Sequence, residues 1–363
     1  MTPQSFCNLA RRLMQHPTAP YHEYAVRDEA EKICAEHNLP FKRDPFGNLL
    51  VHLRPDLRRR PLVLAAHLDH PGFDILKQIS PSRWLAQFRG GVGDPYFRQG
   101  TRLRLMPGRL GALLGRRKHR TERIFELKAD TTPKTLPTLA VWDLPDFKND
   151  GGQIRGRACD DLIGAAATLA TLIDLRRSRT ARNVVGVLSR AEEVGFHGAL
   201  ALAASRALPQ DSFIISLETS RELPGVKMGN GVILRVGDRA SIFDSEGTRF
   251  LGEVAADLNR KTGFRFQRAL MSGGTCEATA YQEFGFRCAA VCIALGNYHN
   301  CATNNRIKAE YVSVADACSM VDLLSAAAKQ LPHWNRLVGR LPKRLEGLLR
   351  TSRNRLRKTA EKR

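Results

Sequence analysis

Two adjacent carboxylates, Glu192 and Glu193, follow the apolar run Val184-Val185-Gly186-Val187-Leu188 in the stretch Ser189-Arg190-Ala191-Glu192-Glu193-Val194-Gly195. The β-branched content of that run reads as a buried strand. Charge at the end of such a strand is costly unless it is paired or coordinated. Neighbouring side chains on a strand or turn point in different directions, so one glutamate can grip a cation while the other faces a reactive water. An isolated Glu-Glu pair is more often surface decoration, and the reading rests on what surrounds it. Other apolar runs end the same way. Pro61-Leu62-Val63-Leu64-Ala65-Ala66 ends in His67 and Asp69, the run from Ser212 to Leu217 in Glu218, and the run from Ala289 to Leu295 in Gly296-Asn297-Tyr298-His299. Asp160 stands with Asp161 in a glycine-flanked loop just before a helical pattern. A lone histidine is usually a satisfied core or surface residue, and an Asp pair before a helix is commonly an N-cap. Five coincidences at successive strand ends point instead to one site. Two histidines and three carboxylates, with no cysteine among them, suit Zn²⁺ or a similar divalent ion held by N and O donors. A carboxylate shared between two such ions makes a hydrolytic two-metal site.

The elements that must position these residues alternate. Apolar periodicity predicts helices over 5–15, 23–37, 162–175, 198–207, 246–260, 276–284 and 312–331. Strands are expected at 49–53, 61–66, 183–188, 212–217, 264–270 and 289–295. Residues 54–60 read as a basic hairpin or loop. The fold class that follows is α/β, a mainly parallel, doubly wound sheet with helices on both faces. Sites in such sheets form beyond the carboxyl ends of the strands. Residues 73–146 break the rhythm with short β-like runs separated by Gly and Pro, which reads as a small inserted β-rich domain. The expected organisation is a discontinuous catalytic domain (1–72 and 147–335), the insert, and a basic tail from 336 to 363.

With 363 residues, 43% of them hydrophobic, the chain can bury a sizeable core. Its formal charge of +21 is unevenly spread: in the tail eleven Lys or Arg face two Glu, and a second basic concentration runs from Arg102 to Arg123. That balance raises an anionic partner, nucleic acid or an anionic surface, as a candidate. Leu341, Leu345, Leu348, Leu349 and Leu356 are interleaved with those cations and could form a basic amphipathic helix. Eight cysteines without a CxxC spacing read as reduced thiols. The N-terminus has no apolar signal region and no run approaches membrane-spanning length, so the expected location is the cytoplasm.

Four segments recur in a known order: Ala66-His67-Leu68-Asp69-His70-Pro71-Gly72, Arg157-Ala158-Cys159-Asp160-Asp161-Leu162-Ile163-Gly164, Glu192-Glu193-Val194-Gly195-Phe196-His197-Gly198-Ala199 and Ser272-Gly273-Gly274-Thr275. Over roughly Phe6 to Leu331 the chain resembles the M42 glutamyl aminopeptidase/endoglucanase family of di-zinc peptidases, related to the M20 and M28 families. The resemblance implies removal of N-terminal residues from peptides and a homo-oligomer. It implies two divalent metal ions per chain, Zn²⁺ first, with Co²⁺ or Mn²⁺ as alternatives. By the same resemblance Asp160 bridges the metals, His67 and Glu218 complete one, and Glu193 and His299 complete the other. Glu192 is then the general base, Asp69 orients His67, and backbone N–H groups at Gly273 and Gly274 help hold the substrate oxyanion.

The chain departs from the family pattern at several points. His70 stands where M42 members usually have Glu, and where they usually have Asp this chain has Glu218, which resembles the M20 and some M28 members. Cys276-Glu277 follows Gly273-Gly274-Thr275, and His299 lies in Asn297-Tyr298-His299-Asn300 rather than an Arg-Tyr-x-His context. This marks a divergent member. His197 competes with His299 for the last ligand position but reads better as a surface group. An M20-like carboxypeptidase or N-acyl-amino-acid deacylase is the alternative enzyme. A scaffold binding nucleic acid or an acidic partner through its tail is the alternative outside enzymes.

Overall fold

The computed structural model describes residues 1–56, 60–119, 121–179 and 183–360. The chain opens with α1 (Pro3–Met14), α2 (Tyr24–Glu36), β1 (Phe41–Arg43), β2 (Leu49–Leu53) and β3 (Leu62–His67). Six strands follow: β4 (Gly72–Ser80), β5 (Arg83–Arg89), β6 (Arg102–Met106), β7 (Leu110–His119), β8 (Ile124–Ala129) and β9 (Leu139–Trp142). Next come β10 (Lys148–Asp150), β11 (Gln153–Gly156), α3 (Leu162–Ser178), β12 (Val184–Ser189), α4 (His197–Ala204) and β13 (Phe213–Arg221). They lead to β14 (Val232–Gly237), α5 (Ser245–Thr262), β15 (Phe266–Leu270), α6 (Glu277–Glu283) and β16 (Arg287–Gly296). The chain closes with β17 (Cys301–Ala302), β18 (Arg306–Ile307), β19 (Glu310–Ser313), α7 (Val314–Gln330), α8 (Trp334–Val338) and α9 (Arg340–Ala360).

An eleven-stranded sheet runs β1-β2-β12-β3-β13-β16-β19-β11-β10, with β14 on β16 and β15 on β14. Its centre, β12-β3-β13-β16, is parallel. The flanking pairs β2-β12, β16-β19 and β11-β19 are antiparallel, so the parallel block expected from the sequence sits inside a mixed sheet. Every residue of β3 is buried. Leu62, Leu64 and Ala66 join the core under α1, α3 and α7, while Val63 and Ala65 join the core under α4 and α6. A strand covered on both faces has no polar side to show, hence the unbroken apolar run.

Most predicted elements lie where periodicity placed them. The helix expected at 312–331 begins at Val314, because Glu310–Ser313 pair with β11 and β16 and Ser313 caps the helix by accepting the Asp316 N–H. The strand expected at 212–217 continues to Arg221, which puts Glu218 inside β13. Part of the 54–60 loop, residues 57–59, lies outside the described residues.

Residues 72–142 form a closed six-stranded barrel ordered β4-β5-β8-β7-β6-β9. Phe73 is its hub, with ring centroids 4.9 Å from Phe88, 5.1 Å from Trp142 and 6.0 Å from Phe125. At Gly115 a Cβ would lie 2.8 Å from the Glu126 carbonyl oxygen, so glycine lets β7 approach β8. Among the described residues no helix is long and apolar enough to cross a membrane.

Candidate metal centre

The parallel centre of the sheet delivers the predicted residues to one place. His67 is the last residue of β3 and pairs in register with Ser189 at the end of β12, so the turn after Ser189 opens beside it. Glu192 and Glu193 stand in that turn, Glu218 on β13, and His299 in the short turn after β16. Asp160 immediately precedes Asp161, whose side chain caps α3 by accepting the Gly164 N–H at 3.2 Å. The Asp pair therefore divides into a cap and a group free to face the site.

Donor atoms of His67, Asp160 and Glu218 lie within 4.8 Å of one another, as do those of Asp160, Glu193 and His299. A third such group joins His67, Glu192 and Glu193. Asp160 is common to the first two, with Oδ1 3.6 Å from His67 Nε2 and Oδ2 3.5 Å from His299 Nε2. His299 Nε2 is also 3.1 Å from Glu193 Oε1, and Glu192 Oε2 is 3.8 Å from His67 Nε2. The structure brings all five predicted ligands and Glu192 together. His197 is exposed and faces the Tyr21 hydroxyl at 2.7 Å, away from the cluster.

The donor chemistry fits divalent cations. Asp160 Oδ1 and Glu218 Oε1 are buried and accept no hydrogen bond, an arrangement that costs free energy unless a cation takes them up. Burial pushes the Glu192 carboxyl well above the usual carboxylate range; the charge on His67 opposes this and those of Glu218 and Glu193 add to it. Burial likewise raises Glu193, against the charge of His299. Glu218 is raised by burial too, against the charges of His67 and Arg235. Carboxylates crowded this closely favour cations between them.

Asp69 has two duties. Its carboxylate accepts the N–H groups of Glu192 and Glu193 at 2.9 and 3.0 Å, and its Oδ1 lies 3.5 Å from His67 Nδ1. His67 Nδ1 is closer still, at 3.1 Å, to the Asp69 carbonyl oxygen. The glutamate turn, which passes through a left-handed Ala191 (φ 52°), is anchored further by buried Glu23. Glu23 accepts the Ala191 N–H and the Arg190 guanidinium at 3.0 and 2.7 Å.

Sequence reasoning missed Glu310. It is fully buried on β19, where Oε2 accepts the N–H groups of Cys159 and Asp160 and Oε1 accepts that of His299. One side chain thus fixes the backbone carrying two of the predicted ligands, including His299 in its left-handed conformation (φ 54°). No local motif marks Glu310; only its buried place on an edge-proximal strand gives it away. His70, the departure from the family pattern, reaches the Asp160 carbonyl through Nδ1 (2.7 Å) and Asn300 Oδ1 through Nε2 (3.2 Å). Burial, aided by the charge on His299, pulls His70 down to about 4, against the oxygens of Asp160 and Asn300 that face its two ring nitrogens. The inserted barrel contributes as well: His299 Nδ1 lies 2.8 Å from the Gly91 carbonyl oxygen.

The cluster forms the floor of a cleft with about 500 Å³ of open space. Gly273, Gly274, Leu223, Met271, Arg221 and Arg235 line its walls. Gly273 is exposed and Gly274 half-buried. Arg235 is almost fully buried, donates to Ser220 Oγ at 3.2 Å, and leaves its Nε without a partner.

Residues 138–316 match the model of the M42 glutamyl aminopeptidase family. Several solved structures share the fold. The TET1 peptidase of Pyrococcus horikoshii is 20% identical, with a TM-score of 0.73 over 89% of this chain and 99% of its own. The aminopeptidase APDkam598 from the archaeon Desulfurococcus kamchatkensis is 19% identical, with a TM-score of 0.74 over 92% of this chain and 97% of its own. A TET aminopeptidase from a marine sediment archaeon of the Thaumarchaeota is 20% identical, with a TM-score of 0.75 over 91% and 99%.

Proposed function

This chain belongs to the M42 family of peptidases, and from that premise we propose that it is an aminopeptidase working at a centre of two divalent cations, with Glu192 as general base. The observation that carries the reading is the pair of donor groups sharing Asp160, with Glu192 beside them and outside both. His67 and Glu218 would hold one cation, Glu193 and His299 the other, and Asp160 both. Zn²⁺ fits the N and O donors, as Co²⁺ or Mn²⁺ would. Bound cations there supply positive charge that acidifies water and stabilises a developing oxyanion.

The chain's own residues do the rest. Glu192 takes the proton of the attacking water and passes it to the leaving amine, a task suited to a carboxyl whose burial holds its proton affinity high. Asp69 sets the glutamate turn by accepting both N–H groups, so that the base and the ligand enter the site from one fixed turn. Backbone N–H groups at Gly273 and Gly274, on the cleft wall, would share the oxyanion. Arg221 and Arg235 make the same cleft suited to an acidic side chain, in keeping with the glutamyl preference in the family's description. Those arginines are also what an M20-like carboxypeptidase would use to grip a terminal carboxylate, which is the second reading. A homo-oligomer belongs to the proposal, since the TET1 peptidase of Pyrococcus horikoshii can assemble into a tetrahedron or a large octahedral shell.

The test is Glu192→Gln. The expected result is a loss of turnover of about 10²–10⁴-fold on free-amine glutamyl and alanyl peptides, with metal content by mass spectrometry unchanged. Near-normal turnover would refute the base assignment. Cleavage of N-acetylated peptides in preference to free-amine ones would favour the carboxypeptidase or deacylase reading.

A further inference from the structure

The C-terminal helix carries a surface that the peptidase site does not explain. Helix α9 holds eight Lys or Arg against one Glu, and none of its residues is buried. Leu345, Leu348, Leu349 and Leu356 are 52%, 57%, 57% and 61% exposed. At roughly 100° per residue, Leu341, Leu345, Leu348, Leu349, Ser352 and Leu356 fall within one arc of about 120°. Every charged residue of the helix falls outside that arc, and Arg353 and Arg355 border it on either side. The helix is not a loose appendage. Arg340 at its start donates to Glu253 and Asp257 of α5 at 2.7–3.0 Å. Just before it, Trp334 of α8 is seated in the core.

From these observations we infer that α9 lies in the interface of an anionic lipid bilayer, leucines down and cations at the headgroups, and docks the chain on a membrane surface. The choice of occupant follows from the two halves of the helix together. A nucleic acid would use the cations and leave the leucines exposed to water. A second α9 would bury the leucines but bring two strongly positive helices side by side, where like charges repel. An anionic bilayer satisfies both halves along the whole length of the helix.

The experiment is vesicle co-sedimentation of the full chain, comparing phosphatidylcholine vesicles with ones that also contain phosphatidylserine. The expected result is binding to the anionic vesicles alone, weakening as salt is raised. The double variant Leu348→Gln and Leu349→Gln, which keeps good helix formers, should partition about tenfold less. Arg353→Gln should lower anionic binding roughly fivefold. Circular dichroism and the thermal midpoint serve as the check that both variants fold. Three outcomes overturn the inference: no binding to anionic vesicles; binding that the leucine variant does not weaken, which would mean charge alone acts; or a drop in solution mass by light scattering in the leucine variant, which would place a second copy on the arc. Tight binding of an RNA oligomer, insensitive to the leucine variant, with no vesicle binding would assign the helix to nucleic acid instead.

Discussion

Glu310 illustrates how a residue that touches neither substrate nor cation can govern a site. Its carboxylate accepts three backbone N–H groups and so ties the Asp160 loop to the His299 turn. Glu310→Gln exchanges one accepting oxygen for a donor facing an N–H. The expected outcome is metal binding about 10–100-fold weaker, read by Zn²⁺ titration against a competing chelator, with an unchanged far-ultraviolet spectrum. Affinity equal to that of the parent chain would show that the turns hold themselves. Five residues of the cluster were legible in the sequence because each ends or follows an apolar run, where an unneeded charge would be costly, and Asp160 because it stands in a glycine-flanked loop just before a helical pattern. Glu310, Glu23 and Asn300 were not, because what marks them is the backbone they bind across 11 to 168 positions of chain, and no spacing rule reaches that far. His70 was visible only as a departure, and its role as a clasp on the Asp160 carbonyl needed three dimensions.

Among the elements, the aromatic joint at the base of the tail is the most exposed to a single change. Trp334 of α8 stacks on Phe250 of α5 at 4.7 Å and meets Phe213 of β13 edge-on at 4.9 Å. Trp334→Ala should destabilise the fold by about 3–5 kcal/mol, seen as a lower urea midpoint, and should make α9 more sensitive to limited proteolysis. An unchanged midpoint would mean that α8 carries no weight in the core. Strands with unbroken apolar runs, such as β3, β12 and β16, could be read from the sequence directly. Strand β7 could not, since Gly111, Gly115 and a run of cations dilute its pattern, and the pairing with β8 is what makes it a strand. Strand β19 was absorbed into the helix that follows it, because four residues are too few to display a period of two.

At the scale of the whole molecule, the proposed cation centre ties metal binding to folding. Several carboxylates are raised by burial, so emptying the centre leaves their charges facing one another. Dialysis against a chelator should abolish peptidase activity and lower the thermal midpoint, and ions restored at about a thousandfold over their dissociation constant should return roughly 4 kcal/mol of stability. A midpoint indifferent to chelator would separate the centre from the fold. The parallel core and the barrel as a β-rich interruption were foreseeable from alternation and its loss. The antiparallel flanks were not, because strand direction at an edge depends on how the chain returns to the sheet. One contact across that boundary has a consequence for how such a chain can change. The Gly91 carbonyl of the barrel holds the far ring nitrogen of His299 at 2.8 Å, which leaves Nε2 bare for the site. The barrel is therefore no interchangeable accessory. Any graft or deletion that moves the turn at Gly90-Gly91 also resets the tautomer of a proposed ligand on the other side of the joint, so the module that shapes the entrance and the module that cuts the bond can only drift as one.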